Sequence, residues 1–128
     1  MAAYARSYKA GQVLFEEGSP SVSIFIIKKG AVSIRKIKGK HFVEIAKVQA
    51  NEVIGELSFF DRNPRSATAV AIIDVDALEI PFESMEKIYN GIPDYLKAIM
   101  ASMAERLRKA NEQIRVLQKQ LHRNKDEE

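Results

Sequence analysis

Apolar residues along this chain follow two different periods, and the change comes near residue 82. Before it, short apolar runs are broken by turn residues every eight to twelve or so positions, which predicts an all-β sandwich or roll. Val13-Leu14-Phe15 predicts a short strand that stops at Glu17-Gly18-Ser19-Pro20. Ile24-Phe25-Ile26-Ile27 is unbroken, so it predicts a strand buried on both faces. After the turn at Lys28-Lys29-Gly30, Val32 and Ile34 alternate with Ser33 and Arg35, the pattern of a half-buried strand. Lys38-Gly39-Lys40 then closes a hairpin onto Phe42-Val43-Glu44-Ile45-Ala46. Residues 66–73 and 75–80 predict two more strands, parted at Asp74.

The rhythm fails between Glu52 and Arg65. Gly55-Glu56-Leu57-Ser58-Phe59-Phe60 is too apolar for a loose loop and has no strand alternation. It predicts one short helical turn, followed by a tight loop at Asp61-Arg62-Asn63-Pro64. A charged, irregular insertion in a β framework is where function tends to sit. Phe59 and Phe60 are expected to anchor it to the roll.

Beyond residue 82 the spacing is helical. A short helix is expected near Glu83 to Tyr89, ended by Asn90-Gly91, and Pro93 and Asp94 suit the start of a second one. Its apolar residues, Leu96, Met100, Met103, Leu107, Ala110, Ile114, Leu117 and Leu121, are separated by alternating steps of 4 and 3. That is the 3.5-residue repeat of a coiled coil. Residues 107 to 121 extend beyond what a single roll covers, so a parallel dimer seam is expected there. The boundaries are therefore a β-roll over 1–82, with the irregular cassette at about 52–69, and a helical segment over 83–128 with its long helix at about 93–123. The fold class is mainly β: an antiparallel, jelly-roll-like double-stranded β-roll followed by a short helix and a long dimerisation helix.

Composition narrows the chemistry. The 128 residues make one ordinary domain. The absence of cysteine excludes disulfides and thiolate chemistry, and His41 and His122 stand too far apart in sequence to suggest a histidine-rich metal site. No metal and no cofactor are expected. Lys and Arg number 20 against 17 acids, a net charge of +3, which does not by itself argue for nucleic acid. The first residues hold no apolar signal core and no run approaches membrane-spanning length, so a cytoplasmic protein without a membrane segment is expected. With no nucleophile, base or metal cluster beside the charged insertion, an enzyme is not expected.

What the insertion offers is a donor set. Arg65 supplies a planar fork suited to phosphate, with the Ser66 hydroxyl and the Ser66 and Ala67 N–H groups close by. Gly55 allows a ligand close to the backbone, and a short helix starting there presents free N–H groups. Glu56 would repel phosphate but accept hydrogen bonds from sugar hydroxyls. Phosphate donors beside a hydroxyl acceptor describe a nucleotide with a free ribose hydroxyl.

At Gly55-Glu56-Leu57 through Pro64-Arg65-Ser66-Ala67-Thr68 the chain resembles the cyclic nucleotide-binding domain family, and the likeness extends from about Tyr8 to Leu117. The resemblance implies that Arg65, Ser66 and Ala67 hold the cyclic phosphate, and that Gly55, Glu56 and Leu57 hold the ribose, Glu56 taking the 2′-hydroxyl. It implies an apolar wall of Ile34, Ile45 and Val48 against sugar and base. On the long helix, Met103 to Leu107 is similar to a stretch in bacterial activators of the family, so Arg106 is expected to buttress Glu56 and Asn111 to read the base as a lid. Ala110 departs from the hydroxyl-bearing residue of that pattern. Ser66 after the arginine tilts the expected ligand to cAMP, with cGMP the second choice. The implied function is a sensor that couples ligand to movement of a dimerising helix. The alternative is a scaffold of the same fold that binds no nucleotide. The implied partners are the cyclic nucleotide and a second copy of the chain. The sequence holds no DNA-binding domain after the long helix, so a stand-alone sensor and a part of a larger protein are both expected readings.

Overall fold

The computed structural model describes residues 3–126, with side chains to Leu121. Residues Met1–Gly91 and Ile92–Glu128 make two compact units. The first holds two four-stranded antiparallel sheets. Strands β1 (Tyr4–Tyr8), β2 (Val13–Phe15), β3 (Ser23–Lys29), β4 (Ala31–Lys38), β5 (His41–Gln49) and β6 (Val53–Ile54) lead to helix α1 (Glu56–Asp61). Strands β7 (Thr68–Ala71) and β8 (Val75–Pro81) follow, then α2 (Phe82–Tyr89). One sheet runs β1-β8-β3-β6 and the other β2-β7-β4-β5. This is the jelly-roll-like β-roll that the turn rhythm predicts.

Two cores explain the unbroken apolar run of β3. Phe25 and Ile27 pack in the roll interior with Val32, Ala69, Ala71, Val75 and Ala77. Ile24, on the opposite face, packs with Phe59 of α1 and Phe82 of α2. A strand buried on both faces reads as continuous apolar sequence. The second core ties α1 to α2. Phe59 meets Phe60, Phe82 and Tyr89 edge-on at centroid separations of 5.2, 5.6 and 5.6 Å. Arg62 adds to the tie, its guanidinium 4.8 Å from the Phe82 ring centre and paired with Glu86.

Three details depart from the alternation in the sequence. Ser33 is fully buried, although alternation places it outward; its hydroxyl donates to Glu44 Oε2 at 2.6 Å and accepts from Arg35 Nε at 3.0 Å. Satisfied hydrogen bonds offset the cost of burying it. β1 and β6 were not marked by any apolar run: Tyr4–Tyr8 is mostly exposed and β6 has two residues. Finally, the β4–β5 register shifts, with Ile34 opposite Ala46 but Arg35 opposite Glu44, so Ile45 is an extra residue on its strand.

The second unit is α3 (Asp94–Asp126). The Pro93 carbonyl accepts from the Leu96 and Lys97 N–H groups, so the helix starts one residue later than a proline at its first position would give. Along it Leu107, Ile114, Leu117 and Leu121 of the apolar stripe are all exposed. Glu105 pairs with Arg108 and Glu112 with Arg115, one turn apart on the flanks. Among the described residues no helix is long and apolar enough to cross a membrane.

Candidate functional site

The site is built around an arginine that the fold has buried. Arg65 is 6% exposed, between α1 and β7. Its backbone is held from both sides by the loop after β2: Arg65 N–H donates to the Ser19 carbonyl at 2.9 Å, and Gly18 N–H donates to the Arg65 carbonyl at 2.8 Å. Thr68 Oγ1 accepts from Glu17 N–H at 2.9 Å, which pins the same loop one step further along. The turn Glu17-Gly18-Ser19-Pro20, which ends the first predicted strand, thus positions the arginine.

The guanidinium lies over the Phe15 ring, 4.1 Å from its centre, with Phe25 at 5.8 Å. Its Nη2 donates to the Ser23 carbonyl at 2.7 Å. Nε and Nη1 are buried with no hydrogen-bond partner among the described residues. Burial pushes the Arg65 pKa down, and the charge of Glu79 pushes it back up. Two desolvated N–H donors cost about 1–3 kcal/mol each unless an acceptor meets them. Such an arrangement persists in folded proteins where a ligand supplies the acceptor. An anion would supply acceptors for such donors.

Gly55 lies directly against this group. Its φ is +92°, and a Cβ built on it would stand 2.5 Å from Arg65 Nη1 and 3.3 Å from the Ser23 carbonyl oxygen. Gly55 is also the residue before α1, with no side chain capping the helix, and Glu56 and Leu57 form the first turn, Glu56 exposed and Leu57 half-buried. Ser66 is exposed and Ala67 buried. The structure therefore brings Gly55 and Arg65 into contact and places Glu56, Leu57, Ser66 and Ala67 as their chain neighbours.

The three wall residues share strands β4 and β5. Ile34 and Val48 are half-buried against the roll core, and Ile45 is 45% exposed. On a regular ladder Ile45 faces away from Val48, since alternate residues take opposite sides. The register shift at Ile34/Arg35 makes Ile45 the bulged residue, and a bulge re-aims a side chain. Arg106 and Asn111 lie on α3 and are exposed. His41 is exposed at the start of β5, and the side chain of His122 lies outside the described residues. Among the described residues no group of three His, Cys, Asp or Glu stands ready to hold a metal.

Sequence reasoning missed four residues of this site. Phe15 and Phe25 make the floor under the guanidinium, Ser23 takes one of its donors, and Glu79 acts on its charge. Their apolar or strand context concealed all but their place in the core.

Residues 5–91 match the family described as the cyclic nucleotide-binding domain. The CRP-like cAMP-activated global transcriptional regulator of Mycobacterium tuberculosis is 28% identical over 106 residues, 81% of this chain and 47% of that protein. The cyclic AMP receptor protein of Thermus thermophilus is 28% identical over 121 residues, 94% of this chain and 56% of that protein. The crystal structure of the Thermus thermophilus catabolite activator protein superposes with a TM-score of 0.72 at 26% identity, covering 91% of this chain and 55% of that one. The chain spans about half the length of the curated relatives it matches.

Proposed function

The chain belongs to the cyclic nucleotide-binding domain family, and we propose that it is a cAMP-binding regulatory module. One observation carries the reading: a buried arginine with two unpartnered donors, stacked on Phe15 and abutting a glycine that leaves room for nothing larger than a hydrogen. Arg65 takes the cyclic phosphate through its guanidinium, with Ser66 and Ala67 beside it. Glu56 accepts the ribose 2′-hydroxyl next to Gly55 and Leu57. Ile34, Ile45 and Val48 face sugar and base. The names of the two curated relatives favour cAMP over cGMP, as does Ser66. The module binds and does not catalyse, and its setting is the cytoplasm.

Ligand binding acts on the cassette, and α1 is the moving part. Phe59 and the Arg62–Glu86 pair connect α1 to α2. Movement there passes towards α3, where Arg106 and Asn111 stabilise the ligand-bound arrangement. The ligand shifts the equilibrium by its preference for that arrangement. Calorimetric titration of the chain with cAMP and cGMP tests the reading. We expect saturable binding at micromolar cAMP, with cGMP weaker. Absence of heat with both nucleotides, from protein shown free of copurified ligand, would sink it.

A second copy of the chain is the proposed partner, paired in parallel along α3. The exposed stripe from Leu107 to Leu121 supports this. Sedimentation should give a species of twice the 14.4 kDa chain mass. Ile114→Asp should sediment as the monomer, because a carboxylate in a closed seam has no partner. An Ile114→Asp protein that remains dimeric places the interface elsewhere.

A further inference from the structure

A half-buried carboxylate on the inward-facing side of β8 stands near the arginine, and the proposed binding does not use it. Along β8, Val75 and Ala77 face the core, and Glu79 follows them at the same two-residue interval. In the register Glu79 lies opposite Phe25, whose ring is part of the floor under Arg65. Its two oxygens are each taken. Oε2 accepts the Ser23 hydroxyl at 2.7 Å and Oε1 accepts Arg6 Nε at 3.0 Å. The carbonyl of the same Ser23 accepts Arg65 Nη2 at 2.7 Å. One residue thus separates the carboxylate from the guanidinium, and both are fixed by short bonds. Ser23 is 3% exposed and the Glu79 side chain 21%, so water screens the pair only in part.

The consequence is a charge rule. A cyclic phosphodiester carries one negative charge and a phosphate monoester nearly two at neutral pH. Desolvation of an ion grows with the square of its charge, while attraction to Arg65 grows only in proportion. Repulsion by Glu79 subtracts from that attraction, and a dianion feels it twice as strongly. Resting on the nucleotide reading above, we propose that Glu79 determines charge selectivity at this site, admitting the singly charged cyclic phosphodiester and excluding doubly charged phosphate monoesters such as 5′-AMP. Arg6, which pairs with Glu79, partly shields it but is half exposed. The other charged or titratable groups on the neighbouring elements are Tyr4 and Tyr8 of β1, Lys28 and Lys29 of β3, Asp76 of β8, Glu56 and Asp61 of α1, and Glu83, Glu86, Lys87 and Tyr89 of α2. None of these elements carries a histidine, so a profile between pH 5.5 and 8 is governed by the second ionisation of the monoester, near 6.

The test is competition of 5′-AMP against labelled cAMP at pH 5.5 and pH 8, for wild type and Glu79→Gln. In the wild type the ratio of AMP to cAMP dissociation constants should rise with pH. In Glu79→Gln it should fall roughly fivefold at pH 8 and change little at pH 5.5. Asp76→Asn, which removes a carboxylate from the exposed face of the same strand and keeps Glu79, should leave the ratio as in the wild type. Glu79→Thr replaces Glu79→Gln if the glutamine chain melts early. A ratio unaltered by loss of the Glu79 carboxylate at both pH values overturns the proposal, and so does an equal shift in Asp76→Asn, which would mark a general loss of negative charge. A wild type that binds no cAMP overturns the function itself, a different and separately visible result.

Discussion

Arg65→Met should abolish cAMP binding and leave the protein at least as stable to heat. The two halves of this expectation come from the same geometry. A charged contact to phosphate is worth about 2–5 kcal/mol, so its loss weakens binding roughly thirty- to several-thousand-fold. A micromolar isotherm would disappear. Stability runs the other way. The guanidinium has two buried donors without partners. Methionine removes both, at about 1–3 kcal/mol each, and leaves one unpaired acceptor at Ser23, of similar cost. It also keeps a flexible apolar stem on the Phe15 ring. Glu79 keeps its pairing with Arg6, so loss of the guanidinium does not leave that carboxylate without a partner. Calorimetric titration and thermal melting of the same preparation check both. A variant that melts well below the wild type would make Arg65 a structural residue first, and its loss of binding would then say little about phosphate.

Much of the fold was legible because the roll is a sequence of short strands set apart by turns that need glycine, proline or charge. The hairpin at Lys38-Gly39-Lys40 is a case in point, with Lys38 opposite His41 in the register. What escaped notice has physical reasons. β1 fills one edge of its sheet with Tyr4, Arg6 and Tyr8 in positions where a central strand carries aliphatic residues. Along β8 the apolar Leu78 and Ile80 suggest one phase and Val75 and Ala77 the other. The conflict ends only when Ile80 is seen to pack in the outer cluster beside Ile24 and Phe82. That choice of phase puts Glu79 on the inward-facing side of β8. No local pattern announces it, because the residues that make an inward carboxylate tolerable, Ser23 and Arg6, come from two other strands.

The cassette was the most readable part of the site, and for the opposite reason. Glycine, acid and arginine lie within a stretch of eleven residues, Gly55 to Arg65, where chain proximity does part of the assembly. The aromatic floor was hidden by contrast. Phe15 and Phe25 read simply as core, and only folding shows that the face of their rings is given to a cation. Arg106 and Asn111 on α3 were legible only through the likeness of Met103 to Leu107 to bacterial activators of the family.

Gly55→Ala should have the second large effect, and the structure supplies its own control. Alanine at φ +92° is strained by about 1–2 kcal/mol wherever it occurs. At Gly55 the new methyl also stands 2.5 Å from Arg65 Nη1 and 3.3 Å from the Ser23 carbonyl oxygen. The guanidinium must swing off that carbonyl, and the donors meant for phosphate are then misaimed. Gly11 has nearly the same φ, +89°, with nothing within 4 Å of a built Cβ. Gly11→Ala therefore measures the backbone strain by itself. We expect both variants to lose stability by denaturant unfolding, Gly55→Ala the more. We expect cAMP affinity to fall more than tenfold in Gly55→Ala and to stay unchanged in Gly11→Ala. In an Arg65→Ala background the extra cost of Gly55→Ala should shrink towards that of Gly11→Ala, since the closest atom it collides with is gone and only the tight approach to the Ser23 carbonyl oxygen remains. Equal penalties at the two glycines in the presence of Arg65 would mean that the arginine yields freely. A guanidinium that yields freely is not preorganised for phosphate, and the case for Gly55 as the residue that sets its position would fail.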